Sequence, residues 1–548
     1  MKKKPKTGIW SLFISDLEAD TIYKYEITTS DNKKFHKIDP YAFQYGISPD
    51  FSCIVTDLSK YKWNDHKWQN EKVSRNKWQQ PISIYEVHAG SWRRNNNGQY
   101  YSYIELIDNL IDYVKCLGYT HIELMPITEH PFDGSWGYQC TGYFAPNSRF
   151  GKNDDFMYFI DCCHQAEIGV ILDWVPSHFC RDQHGLAWYD GSPCYEYNSY
   201  KRSINNDWGS INFAIGKSKV RNFLISSALF WLDKYHIDGF RVDSVADILN
   251  ARNRGKDVGK KFLSTLNSVI NAQYPGTITI AEDSSINQHI TEEGENGIGF
   301  TYCWNMGWTH DIITYMRHKP SDRKNYHEKL EFTLKYAHNQ NFILPLSHDE
   351  MAYKRGSLIE KMPGNSNDKL KNLKLLLAWQ VIHPGKQLMF MGTEIAQETS
   401  WRFDRQLDWK RLKYKKYKTL HKLIQQLNKI YNNHPALWQL DKGDQGTIIQ
   451  SSDPSNSIII LRRQGWNTKD FLIIAANFSN KNQKNYFVGV PLSGIYDVIL
   501  STNWKDFEVG DLTQQNREVE NYHWQNLPYR INIEIPALSL LIIKQDTS

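Results

Sequence analysis

A chain of 548 residues with 41% apolar side chains is long enough for several domains and a large core, which excludes a disordered or fibrous protein. Its 65 basic and 60 acidic residues leave a formal net charge of +5, and no basic tract is concentrated beyond the opening "MKKKPK", which argues against nucleic-acid binding. No run approaches a membrane-spanning length, no signal peptide is legible, and the 8 cysteines lack paired C-x-x-C spacing, so a cytoplasmic chain without a membrane partner is expected, acting as a monomer.

In chain order, residues 1–75 carry only a few predicted strands, "IWSLFI" and "IYKYEI". Few strands bury little surface, so this segment is expected to be part of a β module packed on the remainder of the chain. From residue 82 a short β-branched strand, a loop and an amphipathic helix recur. The strands are "ISIYEV" (82–87), "HIELM" (121–125), "GVILDW" (169–174), "GFRVD" (239–243), "TITIAE" (277–282), "TYCWN" (301–305), "FILPL" (342–346) and "QLMFM" (387–391). This repetition predicts an α/β fold, a closed (β/α)8 barrel over 76–435, with a small lobe at about 180–220 where the loop is too long for a simple turn. "DCCHQ", holding Cys162, Cys163 and His164, falls in a predicted helix and reads as packing rather than as a metal site. Beyond residue 435, "SIIILRR", "DFLIIAANF", "NYFVGV", "YDVIL" and "RINIEIPALSLLIIK" have no helices between them and predict a C-terminal antiparallel β domain over 436–548.

"DGFRVDSV" is unusual for a buried strand, because Arg241 and Asp243 stand two residues apart and share a face. A lone ion pair would be weak evidence of anything. In a (β/α)8 barrel, however, polar residues at the C-terminal strand ends face the mouth. The third strand ends in Asp173 and soon reaches His178. The fourth ends in Arg241 and Asp243, the fifth in Glu282 and Asp283, and the seventh in His348, Asp349 and Glu350. Such a set exceeds what one stabilising pair needs. No Cys or His cluster has ligand spacing and no G-x-S-x-G elbow occurs, so neither a metal, a cofactor nor a serine nucleophile is expected. Paired carboxylates with flanking donors suit glycoside chemistry. Arg241 would keep Asp243 ionised, while burial would keep a second carboxyl, Glu282 or Asp283, protonated.

Four segments on these strands, "DWVPSHF", "GFRVDSVA", "IAEDSS" and "LPLSHDE", resemble in order the signature regions of the α-amylase superfamily. "EHPFDGSWGYQCTGYFAPNSRFG", "WNMGWTHD" and "QNFILPLSHDE" narrow the resemblance to 1,4-α-glucan (glycogen) branching enzymes. That resemblance implies an α-glucan polysaccharide substrate and retaining glycosyl transfer that makes α-1,6 branches without metal or cofactor. It implies Asp243 as nucleophile, Glu282 as general acid/base and Asp349 as transition-state stabiliser. Arg241, His178 and His348 would hold the sugar, Tyr138 would stack on it, and Asp173 would support the site. A hydrolase of the same superfamily and a weakly active glucan-binding relative are the alternatives. The chain departs from the family in two places. It starts inside the N-terminal glycan-binding β-sandwich, at "KTGIWSLF", which predicts an open strand edge or apolar face. After Asp243, "SVADILNARNRGKDVGKKF" is shorter than the family's segment, which leaves acceptor handling open.

Overall fold

The short β-branched runs close on themselves. In the computed structural model, β1 (Ser83–Val87), β2 (His121–Leu124), β3 (Gly169–Trp174), β4 (Gly239–Val242), β5 (Ile278–Ala281), β6 (Tyr302–Trp304), β7 (Phe342–Leu346) and β8 (Lys386–Phe390) form a closed parallel barrel. Each strand pairs with the next in sequence, and β8 returns to β1. The structure describes every residue except 6, 8, 48, 76, 206–207, 254–255, 286–288, 444, 505–516 and 547–548. Two residues of "KTGIWSLF" and two of the segment after Asp243 therefore lie outside the described residues.

These strands read as continuous apolar runs because both of their faces are covered. Ile84, Ile171, Ile280, Trp304, Ile343 and Leu388 fill the barrel interior. The outer faces meet a ring of helices. Its members include α1 (His66–Ser74), α2 (Asn153–Gln165), α3 (Ser218–Tyr235), α4 (Val245–Leu249), α5 (Val258–Gln273), α6 (Met306–Arg317), α7 (Ser366–Ile382) and α8 (Lys415–Asn433). Between β3 and α3 the chain leaves the barrel to build the lobe, a three-stranded sheet of His178–Phe179, Ile204–Asn205 and Ser210–Asn212.

The C-terminal strands form a six-stranded sheet and a separate pair, Gln483–Val490 with Tyr529–Ile535. The two enclose Ile458, Ile460, Val488, Ile531 and Ile543. Two details differ from the sequence reading. "RINIEIPALSLLIIK" is two strands, Tyr529–Ile535 and Ser539–Gln545, because Pro536 has no N–H to continue a ladder. Thr447–Asp453 is a further strand, whose polar sequence hid it and whose side chains are half-exposed at the sheet edge. Arg463 joins this sheet to the barrel: fully buried, it donates to the carbonyls of Ile382 (2.7 Å) and Leu437 (2.8 Å) and pairs with Asp441 at 2.8 Å.

The N-terminal segment contains small antiparallel elements, among them the hairpin Tyr25–Thr28/Lys34–Lys37. Of "IWSLFI" only Trp10–Ser11 is a strand, because the run has only Lys2–Lys3 to pair with. Ile9, Trp10, Leu12, Phe13 and Ile14 are exposed. Lys37 anchors the hairpin on the lobe, donating its buried ammonium to the carbonyl of Ala187 at 2.7 Å.

At the foot of the barrel, Asp238 precedes β4 and is buried. Its carboxylate accepts from Trp68 Nε1 (2.8 Å) and Val170 N (2.7 Å), meets His164 Nε2 at 2.9 Å and lies 3.2 Å from Lys72. The other ring nitrogen of His164 meets Asp65 at 2.9 Å. The histidine of "DCCHQ" thus joins α1, α2 and β4, while Cys163 packs in the core. Burial alone would raise the Asp238 pKa, but Lys72, His164 and the Trp68 hydrogen bond outweigh it and hold the carboxyl well below its usual range. A depressed folded-state pKa contributes stability above the ordinary carboxylate pKa of about 4, and that contribution is lost as pH falls. Asp238→Asn should therefore cost roughly 3 kcal/mol in urea unfolding at pH 7, and less at pH 4, because it unpairs buried cations. An unchanged midpoint at pH 7 would show that the network adds nothing.

Candidate active site

The mouth of the barrel gathers its polar side chains around one guanidinium. Asp173 and Arg241 are register partners on β3 and β4, so their side chains emerge at the same height. Arg241 Nη1 lies 2.8 Å from Asp173 Oδ1 and 2.7 Å from Asp243 Oδ1, and Nη2 lies 3.9 Å from Glu282 Oε2. The guanidinium is 2% exposed and rests 4.5 Å from the Trp304 ring centroid. His178 Nε2 approaches the other oxygen of Asp243 at 3.7 Å.

Across the mouth, His348 Nε2 stands 3.0 Å from the Tyr138 hydroxyl and 3.5 Å from Asp349 Oδ1. The Tyr138 hydroxyl donates to Asp173, and its ring stacks on His348 with centroids 5.7 Å apart. An open cavity of about 430 Å3 is lined by Tyr138, His178, Arg241, Asp243, Glu282, His348 and Asp349, together with Trp136 and Trp208. Of the eight residues chosen from sequence, seven face this cavity. Asp173 lies behind Arg241 and is fully buried.

The neighbouring acids of the sequence motifs face elsewhere. Asp283 turns to Ser285, which donates to it at 2.7 Å, and does not line the cavity. The Glu350 side chain is also absent from the lining, and its carbonyl accepts from Lys361. Of the two carboxyls that sequence left open, Glu282 lines the cavity and Asp283 does not.

Two acids escaped the sequence reading because they lie inside the strands rather than at their ends. Glu86 on β1 binds both the backbone N–H (2.9 Å) and Nδ1 of His348. Its register partner on β2, Glu123, is fully buried, and neither of its oxygens has a hydrogen-bond partner among the described residues. Burial and the nearby Glu86 and Asp173 charges push the Glu123 carboxyl well above its usual pKa. A charged residue in an apolar strand run, as in "SIYEV" and "HIEL", was the available signal.

The same physics separates the catalytic candidates. Burial raises the Asp243 pKa, but Arg241 and His178 more than reverse this and keep the carboxyl ionised below its usual range. Glu282 lies farther from the guanidinium, so burial dominates, reinforced by the charges of Asp243 and Asp349, and raises it to about 7. Asp173 rises to about 6 by burial against the pull of Arg241. Burial works against a charge on His348, yet Asp349 and Glu86 raise its pKa to about 9. The arrangement therefore sets an ionised carboxylate, Asp243, and a carboxyl raised to about 7, Glu282, around the Arg241 guanidinium.

Ser244, immediately after Asp243, sits at φ 54°, a left-handed conformation that a serine adopts at a cost. That turn aims its N–H at Glu282 Oε2, 2.8 Å away. Its hydroxyl donates to Asp247 at 2.7 Å.

Comparison with known proteins shows which family the chain resembles. Residues 103–211 match the alpha amylase catalytic domain, 448–546 the alpha amylase C-terminal all-beta domain, and 1–42 carbohydrate-binding module 48, the isoamylase N-terminal domain. The chain is 42% identical over 551 residues to the 1,4-alpha-glucan branching enzyme GlgB of Geobacillus stearothermophilus, covering 99% of this chain and 86% of that one. It is 41% identical to the enzyme of the same name from Desulfitobacterium hafniense, covering 100% and 88%. A putative alpha amylase from Salmonella typhimurium superposes with TM-score 0.71 at 19% identity, over 97% of this chain and 92% of that one. Pullulanase from Bacillus acidopullulyticus superposes with TM-score 0.72 at 19% identity, over 96% and 68%. At that identity these two speak to the fold alone.

The like charges around Glu282 supply a test. Asp349→Asn removes one of the charges that raise both Glu282 and His348, so both titration midpoints should fall, that of Glu282 to below about 7. NMR titration of carboxyl-labelled glutamate and of histidine in wild type and variant reads this directly. A Glu282 midpoint unmoved by the substitution would refute the electrostatic account.

Proposed function

The chain belongs to the 1,4-alpha-glucan branching enzymes of the alpha-amylase superfamily, and we propose that it cleaves an α-1,4-glucan with retention and re-attaches the severed chain through an α-1,6 linkage. The observation that carries the chemistry is the single Arg241 guanidinium, 2.7 Å from one carboxylate and 3.9 Å from a second, which gives the two acids opposite protonation states. A retaining mechanism needs that closeness and that difference.

In the first step Asp243 attacks the anomeric carbon. The bond to the departing oxygen breaks, and Glu282 gives that oxygen its proton. The glycosyl ester on Asp243 then meets the 6-hydroxyl of an acceptor glucan. The new C–O bond forms, the ester electrons return to Asp243, and the hydroxyl proton returns to Glu282. Positive charge develops on the sugar in both steps, and Asp349 stands at the mouth to stabilise it. Tyr138 offers its ring as a platform for the sugar. His178 and His348 hold the sugar hydroxyls, with His348 kept cationic by Glu86 and Asp349. Asp173 holds Arg241 from behind. The substrate is an α-glucan polysaccharide. The cysteines of the chain stand as free thiols, which suits a reducing, cytoplasmic setting.

Asp243→Ala and Glu282→Gln should each lower turnover by about three orders of magnitude or more, with unchanged thermal melting. Retention of more than about a tenth of the rate in a folded variant would overturn the roles. Cleavage needs Glu282 protonated and Asp243 ionised. The pH profile of kcat/KM should thus fall on the alkaline side near pH 7 and on the acid side below about pH 4. Branching itself is read by incubating amylose with enzyme and counting reducing ends before and after a debranching enzyme acts. Branching leaves them nearly constant until debranching releases many. If they rise in step with loss of iodine colour and debranching adds none, the protein is a hydrolase.

A further inference from the structure

A second cavity opens beside the first. It has a volume of about 560 Å3 and lies between the lobe and α4. Asp247 lines both cavities. Chain neighbours divide elsewhere along the shared wall: His178 faces the first cavity and Ser177 the second, Ala246 the first and Ile248 the second. The second lining mixes Asn205, Asn212 and Asn250 with Tyr197 and Ile248, which suits a sugar's hydroxyl rim and its C–H faces. Ser177 is 7% exposed, and its Oγ has no hydrogen-bond partner among the described residues. A buried hydroxyl left in this state costs free energy unless something else bonds it.

We propose that this second cavity is the acceptor groove, in which an α-1,4-glucan chain lies so that one of its 6-hydroxyls reaches the glycosyl ester on Asp243. The inference rests on the branching function proposed for the main cavity. In a retaining reaction the acceptor attacks the face from which the first chain departed, and that is the face of Glu282. Ser244 ties this face to the groove, with its N–H on Glu282 at 2.8 Å and its hydroxyl on Asp247 at 2.7 Å. A chain entering end-on through the main cavity would present its terminal 4-hydroxyl and restore an α-1,4 bond. A chain lying in a groove that leaves the mouth sideways presents a 6-hydroxyl from the middle of its length. The attack forms the C1–O6 bond, breaks the bond between C1 and Asp243, and passes the hydroxyl proton to Glu282. The shortened segment after Asp243 takes part here, because α4 and Asn250 form one wall of the groove.

The test uses the full chain and amylose. Tyr197→Ala and the exposed Asn250→Ala should each reduce debranchable linkages formed per glycosidic bond cleaved by about fivefold or more, because water takes the ester instead. Bond cleavage and the KM for amylose should stay within about twofold of wild type, and melting should be unchanged. An unchanged ratio of branches to bonds cleaved in both variants overturns the groove, and so does a parallel fall of branching and cleavage. If Tyr197→Ala is unfolded, Asn250→Ala alone decides. Failure of the branching reading looks different: the wild type itself then forms no debranchable linkage, and the groove falls with it.

Discussion

Arg241 is the constraint on which the site depends. Its cation sits in the throat of a barrel whose interior also holds Glu86, Glu123, Asp173, Asp243 and Glu282. Five carboxyl groups cannot all ionise at such proximity in a low dielectric. Arg241 is the cation at the centre of the group, with His348 paired to Glu86 and His178 beside Asp243. Asp243, in direct contact, stays anionic. Glu282, farther away, is raised to about 7, and Glu123, without a hydrogen-bond partner among the described residues, is pushed well above its usual range. Distance from the guanidinium is not the whole cause: Asp173, 2.8 Å away, is raised to about 6 by burial, with the Asp243 charge adding to it, whereas Asp243 has His178 as well as Arg241 to hold it down.

The two ends of β4 use charge for different purposes. At its foot, Asp238 is saturated with donors from α1, α2 and β3, and the result is a closed network that fixes how the helices pack. At its head, Asp243 has its hydrogen-bonding capacity partly open toward a cavity. A saturated carboxylate is unavailable for reaction, whereas a partly satisfied one can attack. Between them β4 carries Arg241, whose guanidinium turns to the head of the strand and pairs with Asp173 and Asp243 there.

One of the left-handed residues of the chain lies directly beside the chemistry. Ser244 takes a left-handed conformation directly after Asp243, and its N–H reaches Glu282 only because of that turn. The same turn starts α4 and so sets the wall between the main cavity and its neighbour. A single unfavourable torsion therefore serves both the acid and the path by which a second glucan would arrive.

Much of this was legible in the sequence because strand periodicity is local. β-branched runs followed by amphipathic helices marked all eight barrel strands to within a residue or two, strand-end position gathered Asp243, Glu282, Asp283 and Asp349 among others, and the family resemblance picked Asp243, Glu282 and Asp349 from them. Turn chemistry also accounts for Pro536, although the run on either side looked continuous. The choice of Glu282 over Asp283 was not local: adjacent residues point to opposite faces, and only the closed barrel says which face is the mouth. Glu86 and Glu123 showed in the sequence only as charges within apolar runs, which gain meaning when folding places one beside His348 and leaves the other without a hydrogen-bond partner among the described residues. The cavity past Asp247 depends on the lobe that follows β3 meeting α4, two segments separated in sequence by α3 and β4. Sequence determined which side chains and which strands there would be. Tertiary structure decided protonation and access, because both depend on distances between residues that the chain brings together only by folding.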